Sequence, residues 1–399
     1  MHVLLLLARG LHLGYLGCYG NDWIDTPALD RLAAEGVVFD QHIADCPDPA
    51  GARRAGRTGR YHFPLADDAP DPDPAADLLE LLRAADIATV ELTDPTPAEA
   101  SEALGRLAAL PRGLLHVELT ALLPPWQTPG QFRTRYFREQ AKTDEEEEAL
   151  TPLTDPPIGP LDDPDDVLFR RIQRSYAGAV AHLDSGIDAL VEALRRRGLL
   201  EGILLLVTSD HGQALGEHGI VGPYRPWLHE ELIHLPLIVR LPGAAEAGRR
   251  VFHLSQPVDL MPTLLDVFGL PIPEVHGRSL RALWHGGEEP LRAYACAGLR
   301  IGAAIEWALR TPEWAFLLPV QTPPDDPPRR PQLYVKPDDR WEVNNVLQHH
   351  LERGEHFEQV LRDFVAATRC AGPLQPPALS DVAAQSATSA AAADESTDR

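Results

Sequence analysis

The chain has 399 residues, with 36 Lys and Arg against 59 Asp and Glu and a formal net charge of -23. This length allows one large α/β domain with an appended unit, or two ordinary domains. The negative field repels nucleic acid and anionic membranes, so neither is expected as a partner. Four cysteines lie far apart without a C-x-x-C pair and suggest neither a zinc cluster nor a disulfide framework.

The amino-terminal stretch MHVLLLLARG is apolar, but it is short, lacks a basic region and is followed by no small-residue cleavage site. We interpret it as a buried strand and not as a signal peptide. No other apolar run approaches the length that spans a membrane. The sequence therefore predicts a soluble, cytoplasmic protein.

Strands and helices alternate along the first part of the chain, which predicts a parallel sheet covered by helices. The apolar run from Val3 to Leu7 is typical of a strand buried on both faces. Thr26 is the expected N-cap of the first helix, and Gly36 follows the end of that helix. The next expected elements are the strands VVFD, IATVEL and LLHVEL and the helices DLLELLRAAD and 97–109.

Between residues 127 and 166 this periodicity gives way to Pro, Asp and Glu, as in TDEEEE and DPPIGPLDDPDD. The composition predicts an acidic, Pro-rich insertion loop exposed to solvent. A helix over about residues 168–197 follows. The strands GILLLVTS and LPLIVRLPG and the amphipathic helices PVDLMPTLLDVFG and GRSLRALWHG come next.

From about residue 291 apolar residues alternate in RAYACAG, AAIEWALRT, WAFLLP and QLYV, which predicts a small antiparallel sheet. A helix near residues 351–368 closes this unit. The last residues, AAQSATSAAAADESTDR, are poor in aromatic and large aliphatic side chains and are expected to be disordered. The predicted units are an α/β domain at 1–290, a small α+β subdomain at 291–370 and a disordered tail at 371–399.

Five stretches carry a resemblance to one enzyme family, in the family's order: LGCYGNDWIDTPALDRLAAEGVVF, RTGRY, YAGAVAHLDSGIDALVEALRRRGLLEGILLLVTSDHGQALGEHG, LHEELIHLPLIVRLPG and VDLMPTLLDVFGLPIPEVHGRSL. With the weaker LYVKPDDRWEVNNV they span most of residues 3–346. On these stretches the chain resembles the sulfatases of the alkaline-phosphatase-like superfamily. The resemblance implies a three-layer α/β/α domain with a mixed sheet and a small C-terminal subdomain with a short antiparallel sheet.

The resemblance also implies a chemistry. Family sulfatases hydrolyse sulfuric esters with a formylglycine made from Cys or Ser in C-x-P-S-R. A divalent cation, usually calcium, is held by two adjacent Asp after the first strand and by a distal Asp with Asn or His. In this register Arg9 and Gly10 replace the two Asp, and Pro49 stands at the nucleophile position. Calcium needs about six to eight oxygen ligands, and proline has neither hydroxyl nor thiol.

The distal family ligands are represented by Asp210 and His211, which follow the strand in LVTSDHG. Open α/β sheets bind ligands at this end of their strands. We interpret the two residues as a vestigial metal pair, and the alternative is that they only cap the following turn. A specific hypothesis follows, in which the Arg9 guanidinium occupies the vacated cation space and pairs with Asp210.

Two arginines are the predicted anion-binding residues. Arg53 belongs to a basic cluster with Arg54, Arg57 and Arg60, which is either a surviving pocket for an anion or one solvated helix face. Arg225 falls near the position of a late family lysine. It could replace the charge of that lysine but not its proton transfer.

Three further positions bear on catalysis. Cys46 lies three residues before the nucleophile position and lacks the flanking Pro and Arg of the family motif, so a displaced nucleophile there is the minor alternative. The family's Lys and His positions fall near Asp94 and Thr96. His229 and His234 stand five apart, whereas helical zinc ligands need a spacing of four, so we interpret them as packing or loop residues.

Three functional hypotheses follow. The first is a sulfatase-like protein that has lost formylglycine chemistry, carries no cofactor, and binds an anionic small molecule such as a sulfate or phosphate ester, or a protein partner. The second is an active sulfate- or phosphate-ester hydrolase whose rearranged site holds calcium or another divalent cation. The third is a scaffold whose acidic Pro-rich loop and tail bind another protein.

Overall fold

The computed structural model describes residues 1–65, 76–137, 151–161, 166–222, 227–325, 327–370 and 373–379. The strands are β1 (His2–Ala8), β2 (Val37–Phe39), β3 (His42–Ile43), β4 (Ala88–Thr93), β5 (Gly113–Leu119), β6 (Gly159–Pro160), β7 (Ile203–Thr208), β8 (Ala214–Leu215), β9 (Ile220–Gly222), β10 (His234–Leu235), β11 (Leu237–Arg240), β12 (Arg249–Val251), β13 (Ala295–Ile301), β14 (Ala304–Arg310), β15 (Trp314–Gln321) and β16 (Gln332–Val335). The α-helices are α1 (Pro27–Ala34), α2 (Pro49–Thr58), α3 (Leu78–Ala84), α4 (Pro97–Leu107), α5 (Gly130–Arg133), α6 (Asp166–Arg196), α7 (Glu230–Ile233), α8 (Leu260–Val267), α9 (Arg281–Trp284) and α10 (Leu351–Ala367).

A seven-stranded sheet in the order β12-β2-β11-β7-β1-β5-β4 forms the centre of the molecule. β1 pairs in parallel with both β5 and β7, whereas β11 is antiparallel to β7 and β2. The mixed sheet that the resemblance implies is therefore present, and the all-parallel expectation is wrong at β11. Parallel strands need a long crossover, usually a full helix. In the described residues between β7 and β11, the only α-helix is the four-residue α7, beside the short strands β8, β9 and β10.

Helices cover both faces of this sheet because its central strands are apolar on both sides. In β1, Leu4 and Leu6 pack into one buried cluster, and Val3 and Leu5 pack into another. The first cluster receives side chains from α1, α4 and α6, and the second receives side chains from α3, α8 and α9. Successive strand residues point to opposite faces, so the apolar run of β1 joins two helical layers into the expected three-layer architecture.

The amino terminus of α1 is capped by a residue from another helix. Asp184 of α6 accepts hydrogen bonds from Ala28 N at 3.1 Å and from Leu29 N at 2.9 Å. The expected N-cap, Thr26, makes no side-chain cap bond, and its hydroxyl accepts from Gly17 N instead. Burial raises the pKa of Asp184 to about 6. A capping partner more than 150 residues away cannot be found from local sequence.

The 31-residue α6 is the longest helix that the structure describes, and it begins two residues before the expected start. Of the predicted loop at 127–166, residues 138–150 and 162–165 lie outside the described residues. The described part contains α5 and also β6, which pairs with β9.

No helix in the described ranges is both long enough and apolar enough to cross a membrane.

The small C-terminal sheet has the order β13-β14-β15-β16, and every neighbouring pair is antiparallel. Helix α10 packs on it through Leu361 and Phe364. Leu374 and Leu379 also pack against this core, and Tyr294 Oη donates to the carbonyl of Pro377 at 2.8 Å. The predicted disordered tail is therefore wrong for 373–379, because these apolar side chains find a partner surface. Residues 371–372 and 380–399 lie outside the described residues.

Candidate functional site

Arg9 and Asp210 are in contact where β1 and β7 end. Arg9 Nε lies 3.0 Å from Asp210 Oδ2. The other carboxylate oxygen, Oδ1, accepts from Gly10 N at 3.2 Å and from His211 N at 2.9 Å. The side chain of Asp210 is 4% exposed and that of Arg9 is 19% exposed. The buried negative charge of Asp210 is thus compensated by the guanidinium and by two backbone amides.

Gly10 has a backbone conformation that an aspartate would adopt only with strain. Its φ is +74°, in the left-handed region that favours glycine. A Cβ built on Gly10 would lie 3.2 Å from Gln213 Oε1 and 3.3 Å from Leu123 Cδ2. The carbonyl of Gly10 accepts from Tyr176 Oη at 2.6 Å. The local backbone is therefore built around a residue without a side chain.

The donor set at this point does not fit a calcium ion. His211 is fully buried, and its Nδ1 donates to the carbonyl of Gly212 at 2.6 Å. Within the described ranges, no three His, Cys, Asp or Glu side chains come together as metal ligands would. Calcium requires about six to eight oxygen ligands, whereas Asp210 brings one carboxylate that already contacts a cation.

The nucleophile position is the first residue of a helix. Pro49 begins α2, and the carboxylate of Asp48 caps the helix by accepting from Gly51 N at 3.0 Å. Proline is favoured at this position because its missing N–H would have no partner there. The residue predicted to stand at the nucleophile position therefore begins a well-formed helix.

Cys46 is a buried thiol. Burial, and next the charge of Asp45, raise the pKa of Cys46 to about 12. The thiolate is the reactive form of cysteine, and a buried cysteine with a raised pKa is inert. The geometry therefore gives no support to a displaced nucleophile at Cys46.

Two arginines of the basic cluster, both on α2, contact carboxylates. Arg53 Nη2 lies 2.7 Å and 2.9 Å from the two carboxylate oxygens of Glu118. Arg57 makes two hydrogen bonds to Asp77, from Nε at 2.8 Å and from Nη2 at 3.1 Å. Arg60 Nη2 donates to a backbone carbonyl, that of residue 274. Predicted residue Arg225 lies outside the described residues.

A cavity of about 70 Å³ lies beside Arg9 and Asp210. Leucines of β1, β5, α3 and α8 line much of it, among them Leu5, Leu79 and Leu264. Charged residues, Arg53 and Arg57 included, line the part near Arg9 and Pro49. The candidate site therefore combines an apolar wall with a set of internally paired charges.

The register of β5 supplies polar residues that the sequence analysis missed. Leu114, His116 and Glu118 all line the cavity, because alternate residues of a strand share one face. His116 Nδ1 lies 3.4 Å from Glu91 Oε1, and burial lowers the pKa of His116. The signal was present in LLHVEL, where two polar residues at a spacing of two interrupt an otherwise buried strand.

The two positions that correspond to the family's Lys and His have structural roles. The carboxylate of Asp94 accepts from Thr120 N at 2.7 Å. Thr96 is the N-cap of α4, where its hydroxyl accepts from Glu99 N at 3.2 Å and Thr96 N donates to Glu99 Oε2 at 2.8 Å. Both side chains are thus engaged in local hydrogen bonds.

A second group of charges, also missed in the sequence, joins the C-terminal subdomain to α7. Glu342 is buried 2.8 Å from Arg310 Nη2, 3.2 Å from Lys336 Nζ and 2.7 Å from His229 Nδ1. Burial acts to raise the pKa of Glu342, but Arg310 and the other partners hold it at about 2. His234 Nδ1 lies 2.6 Å from Glu230. His229 and His234 are thus packing residues with carboxylate partners.

Comparison with known proteins places this site in context. Residues 121–270 match the family model for sulfatases. The chain is 35% identical over 124 residues to N-acetylglucosamine-6-O-sulfatase of Bacteroides thetaiotaomicron, covering 31% of this chain and 22% of that protein. It is 27% identical over 208 residues to arylsulfatase K of Bos taurus, covering 49% of this chain and 37% of that protein. The chain spans less than two fifths of the length of these relatives.

Solved structures share the fold over nearly the whole chain. The structure of BT4656 in complex with its substrate D-glucosamine-2-N,6-O-disulfate matches with a TM-score of 0.74 at 18% identity, covering 94% of this chain and 99% of that one. The phosphonate monoester hydrolase of Agrobacterium radiobacter matches with a TM-score of 0.71 at 19% identity, covering 92% and 96%. Its sequence matches and its fold together make the chain similar to the sulfatases, with the family model matched over residues 121–270 and the fold shared over nearly the whole chain.

Proposed function

We propose that this chain is a sulfatase-family protein that no longer hydrolyses sulfate esters and instead binds an anionic small molecule. The observation that carries the proposal is the contact between Arg9 and Asp210, with Nε 3.0 Å from Oδ2. At the place where the family holds a cation, this chain holds a guanidinium. The protein therefore has no need of a divalent ion to compensate Asp210.

Electrostatics supports the same conclusion. Two unit charges about 4 Å apart interact by roughly 4 kcal/mol at an effective dielectric constant of about 20, so a divalent cation beside Arg9 would be repelled by roughly 8 kcal/mol. Two acidic side chains would offset such a repulsion, but positions 9 and 10 hold Arg and Gly. Calcium-dependent chemistry consequently has little physical basis at this site.

The nucleophile position supports loss of hydrolysis independently of the metal. Pro49 has no side-chain group that can attack sulfur or phosphorus. The nearest alternative, Cys46, is buried and its pKa is raised to about 12. Covalent catalysis needs an activated nucleophile within hydrogen-bond reach of a base, and neither residue meets that requirement.

Arg53 is the residue through which we propose that an anionic group is bound. Its side chain is 50% exposed, and its contact with Glu118 uses only Nη2. The Nε and Nη1 groups of Arg53 make no hydrogen bond to the part of the protein that the structure describes, so they can donate to a ligand. The relative BT4656 was solved with a disulfated sugar as its substrate, which supports an anionic ligand by analogy.

Elemental analysis combined with an activity assay tests the proposal. The purified protein is expected to contain no stoichiometric divalent ion, to keep its Tm in the presence of a chelator, and to release no nitrophenol from 4-nitrophenyl sulfate with or without added calcium. One divalent ion per chain, together with turnover that is lost in Asp210→Ala, would establish the alternative of an active hydrolase. The scaffold hypothesis stays a prediction, since it concerns a loop and a tail that are largely outside the described residues.

A further inference from the structure

The cavity beside Arg9 has an apolar wall that two strands and two helices build together. Leu5 and Leu7 stand on the face of β1 that also carries Arg9, because residues two apart share a face. Leu79 of α3 and Leu264 of α8 close the cavity from the helical layer. A sugar placed against these leucines would lose hydrogen bonds of its hydroxyl groups to water without gaining new ones.

Each arginine that lines the cavity already has a carboxylate partner. Arg9 contacts Asp210, Arg53 contacts Glu118, and Arg57 contacts Asp77. A ligand with many polar groups would have to break these contacts. A ligand with one anionic group can bind without breaking these contacts, because it needs only the N–H groups of Arg53 that make no hydrogen bond to the described residues.

The size of the cavity suits one small apolar group. A single water needs roughly 10–15 Å³ of such space, and the cavity measures about 70 Å³. Apolar cavities lined by aliphatic side chains stay dry and bind small arenes. We infer that the leucine-lined cavity takes an aromatic ring or a short alkyl chain, so that the ligand is an aryl or alkyl anion and not a sulfated sugar. This inference rests on the proposed function, because it names the ligand of the same site.

Calorimetric titration of the full chain with three probes tests the inference. The probes are toluene, which has the ring alone, phenyl sulfate, which has the ring and the anion, and D-glucosamine-2-N,6-O-disulfate. Both arenes are expected to bind, and the disulfated sugar is expected to bind at least about tenfold more weakly than phenyl sulfate. Tighter binding of the sugar, or no binding of either arene, would overturn the inference.

Gly56 offers a substitution that fills the cavity. It lines the cavity from α2, and a Cβ built there would lie 3.8 Å from Leu260 Cδ1 and 3.9 Å from the carbonyl of Pro257, both ordinary contact distances. Gly56→Leu is expected to weaken binding of both arenes by at least about tenfold. Gly186→Leu, on an exposed part of α6 where a Cβ meets no atom within 4 Å, is the matched control and should leave binding unchanged.

Further outcomes separate this inference from the proposed function. If Gly56→Leu does not fold, Gly56→Ala should weaken arene binding in the same direction by a smaller factor, and unchanged affinity in a folded variant would overturn the inference. Phenol released from phenyl sulfate in the same samples would overturn the proposed loss of hydrolysis, whatever binds in the cavity. Binding of toluene without binding of phenyl sulfate would support the apolar cavity and overturn the proposed anionic ligand.

Discussion

Arg9 changes what the neighbouring carboxylate can do. An unpaired Asp210, with a side chain only 4% exposed, would be a buried negative charge that attracts a cation. Paired with the guanidinium, it becomes a structural contact between β1 and β7, which are adjacent strands.

Arg9→Ala is expected to lower the free energy of unfolding by about 3 kcal/mol, because removal of one partner leaves the other charge buried. The loss should lie at the low end of the usual range, since Asp210 keeps two backbone hydrogen bonds. Chemical denaturation at neutral pH measures it. In Arg9→Ala/Asp210→Asn, part of the loss should be recovered. An unchanged Tm in Arg9→Ala would show that the contact contributes nothing.

Thiol accessibility gives a second prediction at the scale of residues. Cys370 is exposed, whereas Cys46 and Cys296 are buried and burial raises the pKa values of both. Brief treatment of the native protein with iodoacetamide should therefore modify Cys370 first, and Cys46 only after denaturation. Peptide mass spectrometry identifies the modified residues. Rapid native labelling of Cys46 would restore it as a candidate nucleophile.

At the scale of elements, α2 supplies five of the residues that line the cavity, Pro49, Ala52, Arg53, Gly56 and Arg57. It begins at Pro49, carries Arg53, Gly56 and Arg57 into the cavity wall, and ends at Gly59, whose φ is +65°. Gly59 supplies the left-handed conformation that commonly ends a helix. The cluster of arginines is thus one helix face that is turned toward carboxylates of neighbouring elements and not toward bulk solvent alone.

Asp48→Ala removes the N-cap of α2 and is expected to lower the free energy of unfolding by about 1 kcal/mol. The amide of Gly51, 3.0 Å from the Asp48 carboxylate, loses its partner in the variant. Asp338→Ala, at an exposed aspartate, is the control and should change stability much less. Equal stability of the two variants in urea denaturation would contradict the assigned cap.

The elements themselves were largely predictable, because apolar periodicity and caps are local. The bounds of β1, β5, β7 and α10 lie within a few residues of those expected. The direction of β11 and the cap of α1 were not predictable in the same way. Both depend on a partner far away in sequence, namely β7 for the strand and Asp184 for the helix.

At the scale of the whole molecule, Glu342 links the C-terminal subdomain to the start of α7. Its φ is +57°, a left-handed conformation that costs a non-glycine residue free energy. Contacts with Arg310, Lys336 and His229 offset that cost. Because these partners come from β14, the segment after β16 and the residue before α7, the group ties together three parts of the chain.

Glu342→Gln is expected to lower the free energy of unfolding at pH 7 by about 3 kcal/mol, because Arg310 then stays buried without its carboxylate, whereas Lys336 keeps Glu230 as a partner. The pKa of Glu342 is about 2 in the folded protein, below the ordinary value of 4.5. Its stabilisation is therefore present above about pH 4.5 and is lost as the pH falls toward 2.

Unfolding of wild type and Glu342→Gln across this pH range checks the prediction. The difference between their free energies of unfolding should be largest near neutral pH and should shrink between pH 4.5 and 2. Glu355→Gln, at an exposed residue of α10, should follow wild type throughout. A difference that does not depend on pH would mean that the ionised carboxylate is not what stabilises the fold.

The sequence by itself determined which side chains stand at positions 9, 10 and 49, because side-chain identity is readable without a structure; that these are the family's site positions stays a prediction from the resemblance. It also determined the fold class, since apolar periodicity specifies elements and their order. Only the tertiary structure decided which charges meet at the candidate site. Arg9 meets Asp210 across 201 positions of sequence, and Arg53 meets Glu118 across 65. Such contacts depend on which strands lie side by side, and that is set by packing of the whole chain.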